Sequence, residues 1–317
     1  MMADEQPTSV LRTPEDLLAA VPFLLGYHPA DAIIALYAKD GDRIPAVSSI
    51  SVDAPTDVIV HHLRDALMRN GFRRMYLVGY APVSARDKLN AIAHTLDATT
   101  VVDCRLLVTD GRYYCLFDSC PCTPAEGTAF DSTTSTITTN LIVRGHVALP
   151  SKKHLTDLVK SDTQTQTRIS TILAELPPEA PDPVAVVSRC MTTAASGIRL
   201  TDEQAAQLAV ALRTRSGRTA AWLATDDHMW QRDLWLDMTR RIPDPYVTTP
   251  ANLAAWAAWR HGDATLAWAA VTRAARVTPN NELSLLIATL LSSQINPARL
   301  PWPLPEGFDP TGLNPRR

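Results

Sequence analysis

Three of the five cysteines fall within eight residues, in Cys115-Leu116-Phe117-Asp118-Ser119-Cys120-Pro121-Cys122, followed by Thr123-Pro124-Ala125-Glu126-Gly127. Thiols this close together support three chemistries. Zinc takes four soft or borderline ligands in a tetrahedron, and Cys115, Cys120 and Cys122 supply three. Cys104 lies on a strand that the Asp110-Gly111 turn pairs with Cys115, so it is the fourth thiol in reach, and His28 is an alternative ligand. The spacing is C-x4-C-x-C rather than the paired C-x2-C of most zinc sites. A second reading is a reversible disulfide. Pro121 would strain a ring closed between Cys120 and Cys122, so Cys115 with Cys120 is the preferred pair. The third reading takes precedence: a buried turn in which the thiols pack as small apolar groups.

A second set of polar residues lies in Tyr27-His28-Pro29-Ala30-Asp31. A histidine followed three residues later by a carboxylate, at the entry to a strand, has the make-up of a base and its orienting group. The structural alternative is favoured, with the imidazole on loop carbonyls and Asp31 capping the turn, because no nucleophile accompanies them. Glu126 could bring a carboxylate to the cysteines, and Gly127 supplies a left-handed turn residue. His61 and His62 project about 100° apart on a helix, so at most one faces a core. No P-loop, G-x-G-x-x-G, H-E-x-x-H or G-x-S-x-G occurs.

The elements that must hold these residues read as two kinds of structure. Thr13-Pro14-Glu15-Asp16 opens a helix by a capping box, and Pro22 ends it near Val21. Ala32–Tyr37 is an apolar run suited to a strand buried on both faces, and Ala46–Val52 is its hairpin partner. Thr56 caps a helix to about Asn70, stopped by Gly71. Met75–Tyr80 is a strand, Ser84 and Asp87 open a second capped helix, and 100–108 turns through Asp110-Gly111 into 112–117. Strands alternating with helices predict an α/β domain with a mostly parallel, mixed sheet over residues 11–150.

Residues 151–302 read as helices only, an all-α domain. Pro177 to Pro183 is a stiff connection. Thr201-Asp202-Glu203-Gln204 starts a capped helix to about Arg215, and another covers 222–241. The pair 252–261 and 264–277, broken at Gly262-Asp263 and closed by Pro279-Asn280-Asn281, resembles one tetratricopeptide helix pair. Trp256, Trp259 and Trp268 form an aromatic stripe, read first as a core seam and otherwise as a groove for a partner helix or tail. Residues 1–10 and the Pro-rich 303–317 are expected to be disordered or extended.

All seven Trp lie at Trp222 or later, and six of the seven Tyr at Tyr114 or earlier, which supports two halves. The chain of 317 residues is 46% hydrophobic with net charge -3. That composition indicates a folded protein without a basic face for nucleic acid. No apolar run approaches the roughly 20 residues of a membrane span, and the polar, acidic start lacks the pattern of a secretory signal. A cytoplasmic protein with reduced thiols is expected.

Two segments are specific. Pro22-Phe23-Leu24-Leu25-Gly26-Tyr27-His28-Pro29-Ala30-Asp31 and Tyr113-Tyr114-Cys115 with Cys120-Pro121-Cys122-Thr123-Pro124-Ala125-Glu126-Gly127-Thr128 are similar to motifs of an actinobacterial family known only as domain of unknown function number four-one-nine-two. Gly145 to Pro150 and the final helix pair extend the resemblance over almost the whole chain. The family's adjacent Cys-Cys is here split by Pro121. The resemblance implies a fold and a source but no mechanism. Two functions therefore stand side by side. The first is a non-enzymatic binding or regulatory protein whose helical domain engages a protein partner. The second is an enzyme or a redox or metal protein whose site joins His28, Asp31, Glu126 and Cys104, Cys115, Cys120 and Cys122, with zinc as the possible cofactor.

Overall fold

Seven consecutive residues with no polar side chain but the Tyr37 hydroxyl form β1 (Ala32–Ala38), and every one of them is buried. The structure, a computed structural model, describes residues 13–38, 44, 46–117, 123–144 and 146–303. By internal packing the chain divides into two units, Met1–Lys152 and Lys153–Arg317.

In the first unit both edges of β1 are paired, with β2 (Ala46–Ser51) on one side and β3 (Arg74–Tyr80) on the other, and both pairings are antiparallel. Helix α2 (Thr56–Asn70) thus connects two strands that run parallel to each other with β1 between them. Helix α3 (Arg86–Asp97) links β3 to β4 (Val101–Thr109), which are parallel neighbours. A turn at Asp110 (φ 51) and Gly111 (φ 70) leads into β5 (Arg112–Cys115), and β6 (Thr128–Ala129) completes the order β2-β1-β3-β4-β5-β6. The expected sheet is mixed but not mostly parallel: of these five pairings only β3 with β4 is parallel. The crossover rule held for strand direction. It does not require the joined strands to be adjacent, and β1 fills the gap.

Period-two alternation assigns the faces. Ile33, Ala35, Tyr37, Met75 and Leu77 pack with Ile59 and Leu63 of α2 and Leu89 and Ile92 of α3. Ile34, Leu36, Val78 and Leu106 point the other way and are also buried. On that second face the Tyr113 hydroxyl donates to the carboxylate of Glu15 in α1 (Pro14–Leu25). Helix α1 packs in turn on α4 (Thr136–Val143) through Ala19, Ala20, Ile137 and Leu141. The capping box of Thr13 and Asp16 is present, but the helix continues through Pro22 to Leu25. Burial of Leu17, Leu18, Val21 and Leu25 outweighs the bias that proline places on the preceding residue. Two other caps differ from expectation. Thr56 is the first helical residue after Pro55, and Ser84 lies in a 3-10 turn before α3, so neither side chain caps.

The second unit is helical: α5 (Lys152–Thr156, at the boundary), α6 (Thr163–Glu175), α7 (Pro183–Ala195), α8 (Asp202–Ala211), α9 (Arg215–Leu223), α10 (Met229–Arg241), α11 (Thr248–His261), α12 (Ala264–Val277) and α13 (Glu282–Ser292). The helix expected over 222–241 is interrupted. At the break, the Ala224 and Thr225 carbonyls go to side chains. Trp256 Nε1 donates to Thr225 O (3.1 Å) and Gln231 Nε2 to Ala224 O (2.7 Å). Trp235 Nε1 donates to the buried Thr225 hydroxyl (3.0 Å).

A chain of alternating charges joins α6, α8 and α10. Arg168 meets Asp202 (2.9 Å), Asp202 meets Arg241 (2.7 Å), Arg241 meets Asp237 (2.6 Å), and Asp237 meets Arg199 (2.7 Å). The Arg241 side chain is 2% exposed and also donates to the Leu200 carbonyl (2.9 Å). Removing Arg241 leaves the Leu200 carbonyl without this donor and leaves Asp202 and Asp237 with one exposed arginine each, Arg168 and Arg199, at a cost of about 2–3 kcal/mol. Arg241→Ala is therefore expected to lower the free energy of urea unfolding by about that amount, while exposed Arg199→Ala costs under about 1 kcal/mol. The same network makes a pH prediction. The hydrogen bond from Arg168, then the one from Arg241, holds the Asp202 carboxyl below its ordinary range. The unfolded chain binds that proton more readily, so this stabilisation is complete above about pH 4 and lost as pH falls through the lower folded value. Urea midpoints measured from pH 6 to pH 3 should fall at the acid end, and less steeply in Arg168→Ala.

Candidate functional site

The cysteine loop leaves the sheet from β5 and is closed at its neck. Cys115 lies directly opposite Leu106 in the antiparallel β4–β5 pair, so the two side chains share a face. Cys104 is two residues from Leu106 on the same strand and projects from that face too. Such diagonal positions lie about 7 Å apart, the outer limit for a disulfide without backbone movement. The backbone N–H of Cys115 donates to the Thr123 hydroxyl (3.0 Å), which ties the start of the loop to its return. Leu116 N–H donates to Arg105 O (2.8 Å), and the Arg105 guanidinium stacks 4.5 Å from the Phe117 ring while pairing with Asp97. On the return side the Gly127 N–H closes a turn on Pro124 O (2.9 Å). Arg112 then donates from Nε to Glu126 O (2.8 Å) and from Nη2 to Gly127 O (3.0 Å). The Glu126 carboxylate is exposed, so it is the residue's carbonyl that the fold uses. Cys120 and Cys122 lie outside the described residues. Among the described residues, no three His, Cys, Asp or Glu stand together as a metal-binding group.

The His28 segment is anchored elsewhere. Its backbone pairs with the chain before Pro150: His28 N–H donates to Leu149 O (2.9 Å), Leu149 N–H to Gly26 O (2.8 Å), and Tyr27 and Leu149 form a parallel bridge. Tyr27 is buried and its hydroxyl donates to Ser49 on β2 (2.9 Å). The His28 side chain is exposed. Asp31 is exposed with φ 49, and its carbonyl accepts from Val52 N–H (3.0 Å), so its backbone makes the turn into β1.

The register separates these two sets. Ala32, next to Asp31, pairs with Tyr80 on β3, which pairs with Val108 on β4, which pairs with Tyr113 on β5. Three strand spacings, about 14 Å, therefore lie between Asp31 and the strand of Cys115. The structure brings Cys104 and Cys115 onto one face and places Glu126 near Arg112, but it does not bring Asp31 to the cysteines. His61 is exposed beside Asp65 (3.7 Å), while burial pushes the partly covered His62 below its ordinary pKa.

Sequence reasoning did not pick out Thr123, Arg112 or Glu15 as the groups that hold this region. Nothing short of the strand register connects them to Cys115 and Tyr113. Two hollows lie among the described residues. One of about 390 Å³ lies between α7 and α8, lined by Arg189, Cys190, Thr193 and Gln204, and one of about 270 Å³ lies beside Arg64, Phe72 and Arg73. Neither touches the residues singled out above. Burial pushes the Cys190 thiol up to about 11, so it is not a thiolate at neutral pH.

Gly127 supplies a test of how the loop is held. Its φ is +73, and a Cβ there would come within 2.6 Å of the Tyr114 ring. A left-handed alanine costs about 1–2 kcal/mol before the clash is counted. Gly127→Ala should therefore lower unfolding free energy by about 2–3 kcal/mol. It should also speed thiol labelling of Cys115 while Cys190 is unchanged.

The family described as Domain of unknown function (DUF4192) matches residues 14–298. No curated protein and no solved structure matches the chain. The matched span takes in the Tyr27–Leu149 bridge, the cysteine loop and all of the helices described, and the chain belongs to this family.

Proposed function

We propose that this is a cytosolic, non-enzymatic binding or regulatory protein of an actinobacterial cell, in which the helical unit engages a protein partner and the cysteine loop is structural. The observation that carries the reading is Trp268. Of the three tryptophans in the stripe, Trp256 and Trp259 are core, at 0% and 3% exposure, whereas Trp268 on α12 is 41% exposed. An amphipathic indole held on the outer face of a rigid helix is the kind of anchor that dominates protein interfaces. The helix that carries it is rigid because its inner face is built of small residues. Ala267, Ala270 and Ala274 on α12 and Ala254, Ala255 and Ala258 on α11 are fully buried, which lets two helices approach closely. This supports a tetratricopeptide-like pair in α11 and α12, with Gly262 (φ 95) as the left-handed stop between them. Asn252 extends the pairing to α13 by a part-buried hydrogen bond to Asn281 (2.9 Å) and a buried one from Ser284 (2.8 Å). On this reading the chain folds as two independent domains, near residues 11–150 and 151–302.

A second reading keeps one observation: Cys104 and Cys115 share a face at the neck of a loop that carries two more thiols. That arrangement supports a zinc or redox centre built on β4 and β5, without His28.

Two measurements separate the readings. Cross-linking in cells of the source organism, followed by mass spectrometry, should give a defined partner cross-linked through α12. Trp268→Ala, with unchanged circular dichroism, should reduce that cross-link at least tenfold; an unchanged yield would sink the anchor. Metal content of protein purified without reductant should be near zero, with thiols titrating as free sulfhydryls. About one zinc per chain, lost in Cys115→Ser, would replace the first reading by the second.

A further inference from the structure

The helical unit contains a slot that the chain fills with its own residues beyond α13. Pro297–Arg299 make a 3-10 turn, Leu300 is buried, and Trp302 inserts its ring 4.6 Å from Trp256 of α11 and 5.3 Å from Trp222 of α9. Arg260 of α11 donates from Nη1 to two main-chain carbonyls of this segment, Pro297 O (2.9 Å) and Leu300 O (2.8 Å). Asp226 aims the guanidinium by accepting from Nε (2.8 Å).

These contacts recognise one indole and the backbone on its N-terminal side. The segment reads Pro297-Ala298-Arg299-Leu300-Pro301-Trp302-Pro303, so three prolines restrict it before it docks. Extended, proline-rich peptides dock on aromatic-lined grooves, and Arg260 adds a donor for the Leu300 carbonyl and for Pro297 O, which also accepts the Leu300 N–H of the turn. Two further observations separate slot from occupant. Trp222, Trp256 and Arg260 lie within the family-matched residues 14–298, whereas Leu300 and Trp302 lie beyond them. The indole nitrogens of Trp222 and Trp302 are buried and meet no acceptor among the described residues. A buried donor left unpaired weakens binding, so a segment that offers either indole an acceptor would fit better.

We infer that the face made by α9 and α11 is a recognition groove for an extended segment with a tryptophan flanked by prolines, and that Leu300–Pro303 occupies it as an intramolecular ligand. The partner it fits is a linear, proline-restricted segment of another chain carrying a leucine and a tryptophan two residues apart. Such a partner binds by displacing Trp302. The groove is made by other residues than Trp268, so this inference goes beyond the partner surface proposed above and stands or falls separately.

The probe is a fluorescein-labelled peptide of residues 296–304, read by fluorescence anisotropy against the full chain. Wild type, with its groove filled, should bind weakly. Trp302→Ala should bind at least tenfold more tightly, and adding Arg260→Ala should remove that gain. A peptide with Ala in place of its Trp should not bind. A folded Trp302→Ala protein that binds no more tightly than wild type overturns the inference. Should Trp302→Ala fail to fold, a full chain with a protease site inserted between Ser293 and Gln294 is cut after folding. Exchange of the labelled peptide into the cut chain, with helical circular dichroism retained, supports the groove. Failure to exchange, or loss of the fold as the segment leaves, makes residues 297–303 core and overturns it.

Discussion

A strand that is buried on both faces must have both edges hydrogen-bonded, because no water reaches its N–H and C=O groups. β1 is that strand, and the arrangement of the first unit follows from it. Its neighbours on both sides run antiparallel to it, so β2 and β3 run parallel to each other two positions apart. Helix α2 makes the crossover over β1, and α3 follows on the same face in a common cluster of side chains. The other face is left for α1, the helix that feeds β1. The distance between the His28 loop and the cysteine loop is thus a property of the strand order. One loop enters β1, the other leaves β5, and β3 and β4 lie between them.

The helical unit obeys the same requirement with side chains in place of strand edges. Its break between α9 and α10 exists because Trp256, Trp235 and Gln231 take up the polar groups of 224–226. Arg241 is buried among two carboxylates and a carbonyl, and that is what fixes α8 against α10. Arg260 serves the carbonyls beyond α13 in the same way. A guanidinium with donors in a rigid fork suits this task, since one side chain can satisfy several acceptors at fixed angles. A lysine ammonium gathers its donors on one atom and lacks this fork, so it would not reproduce the geometry at either position.

Local patterns were legible wherever the cause was local. The capping boxes at Thr13 and Thr201, the left-handed stops at Gly71 and Gly262, and the span Ala264–Val277 follow from neighbouring residues, and all are present. What escaped was decided by partners distant in sequence. Pro22 reads as a helix end until the burial of Leu25 is known. The run 222–241 reads as one helix until Trp256 is seen to claim the Thr225 carbonyl. The direction of β1 against β3 cannot be read from alternation, because an inserted antiparallel strand leaves the α/β rhythm unchanged. The candidate site was legible only in composition: the cysteines were visible, but Thr123 and Arg112, which hold their loop, carry no sign of that role.

The two units differ in what their polar groups are free to do. Around the cysteine loop they are engaged locally: Thr123 accepts from the Cys115 amide, Arg112 donates to the Glu126 and Gly127 carbonyls, and Arg105 is divided between the Asp97 carboxylate and the Phe117 ring. Cys115, at the neck of the loop, is placed by its strand directly opposite Leu106. His28, exposed, and Asp31 lead into β1, and β3 and β4 lie between β1 and the strand of Cys115. In the helical unit, by contrast, indoles pack on a segment with no regular structure after its one 3-10 turn, and a single guanidinium donates to two of its carbonyls. These are the contacts on which the groove inferred above rests.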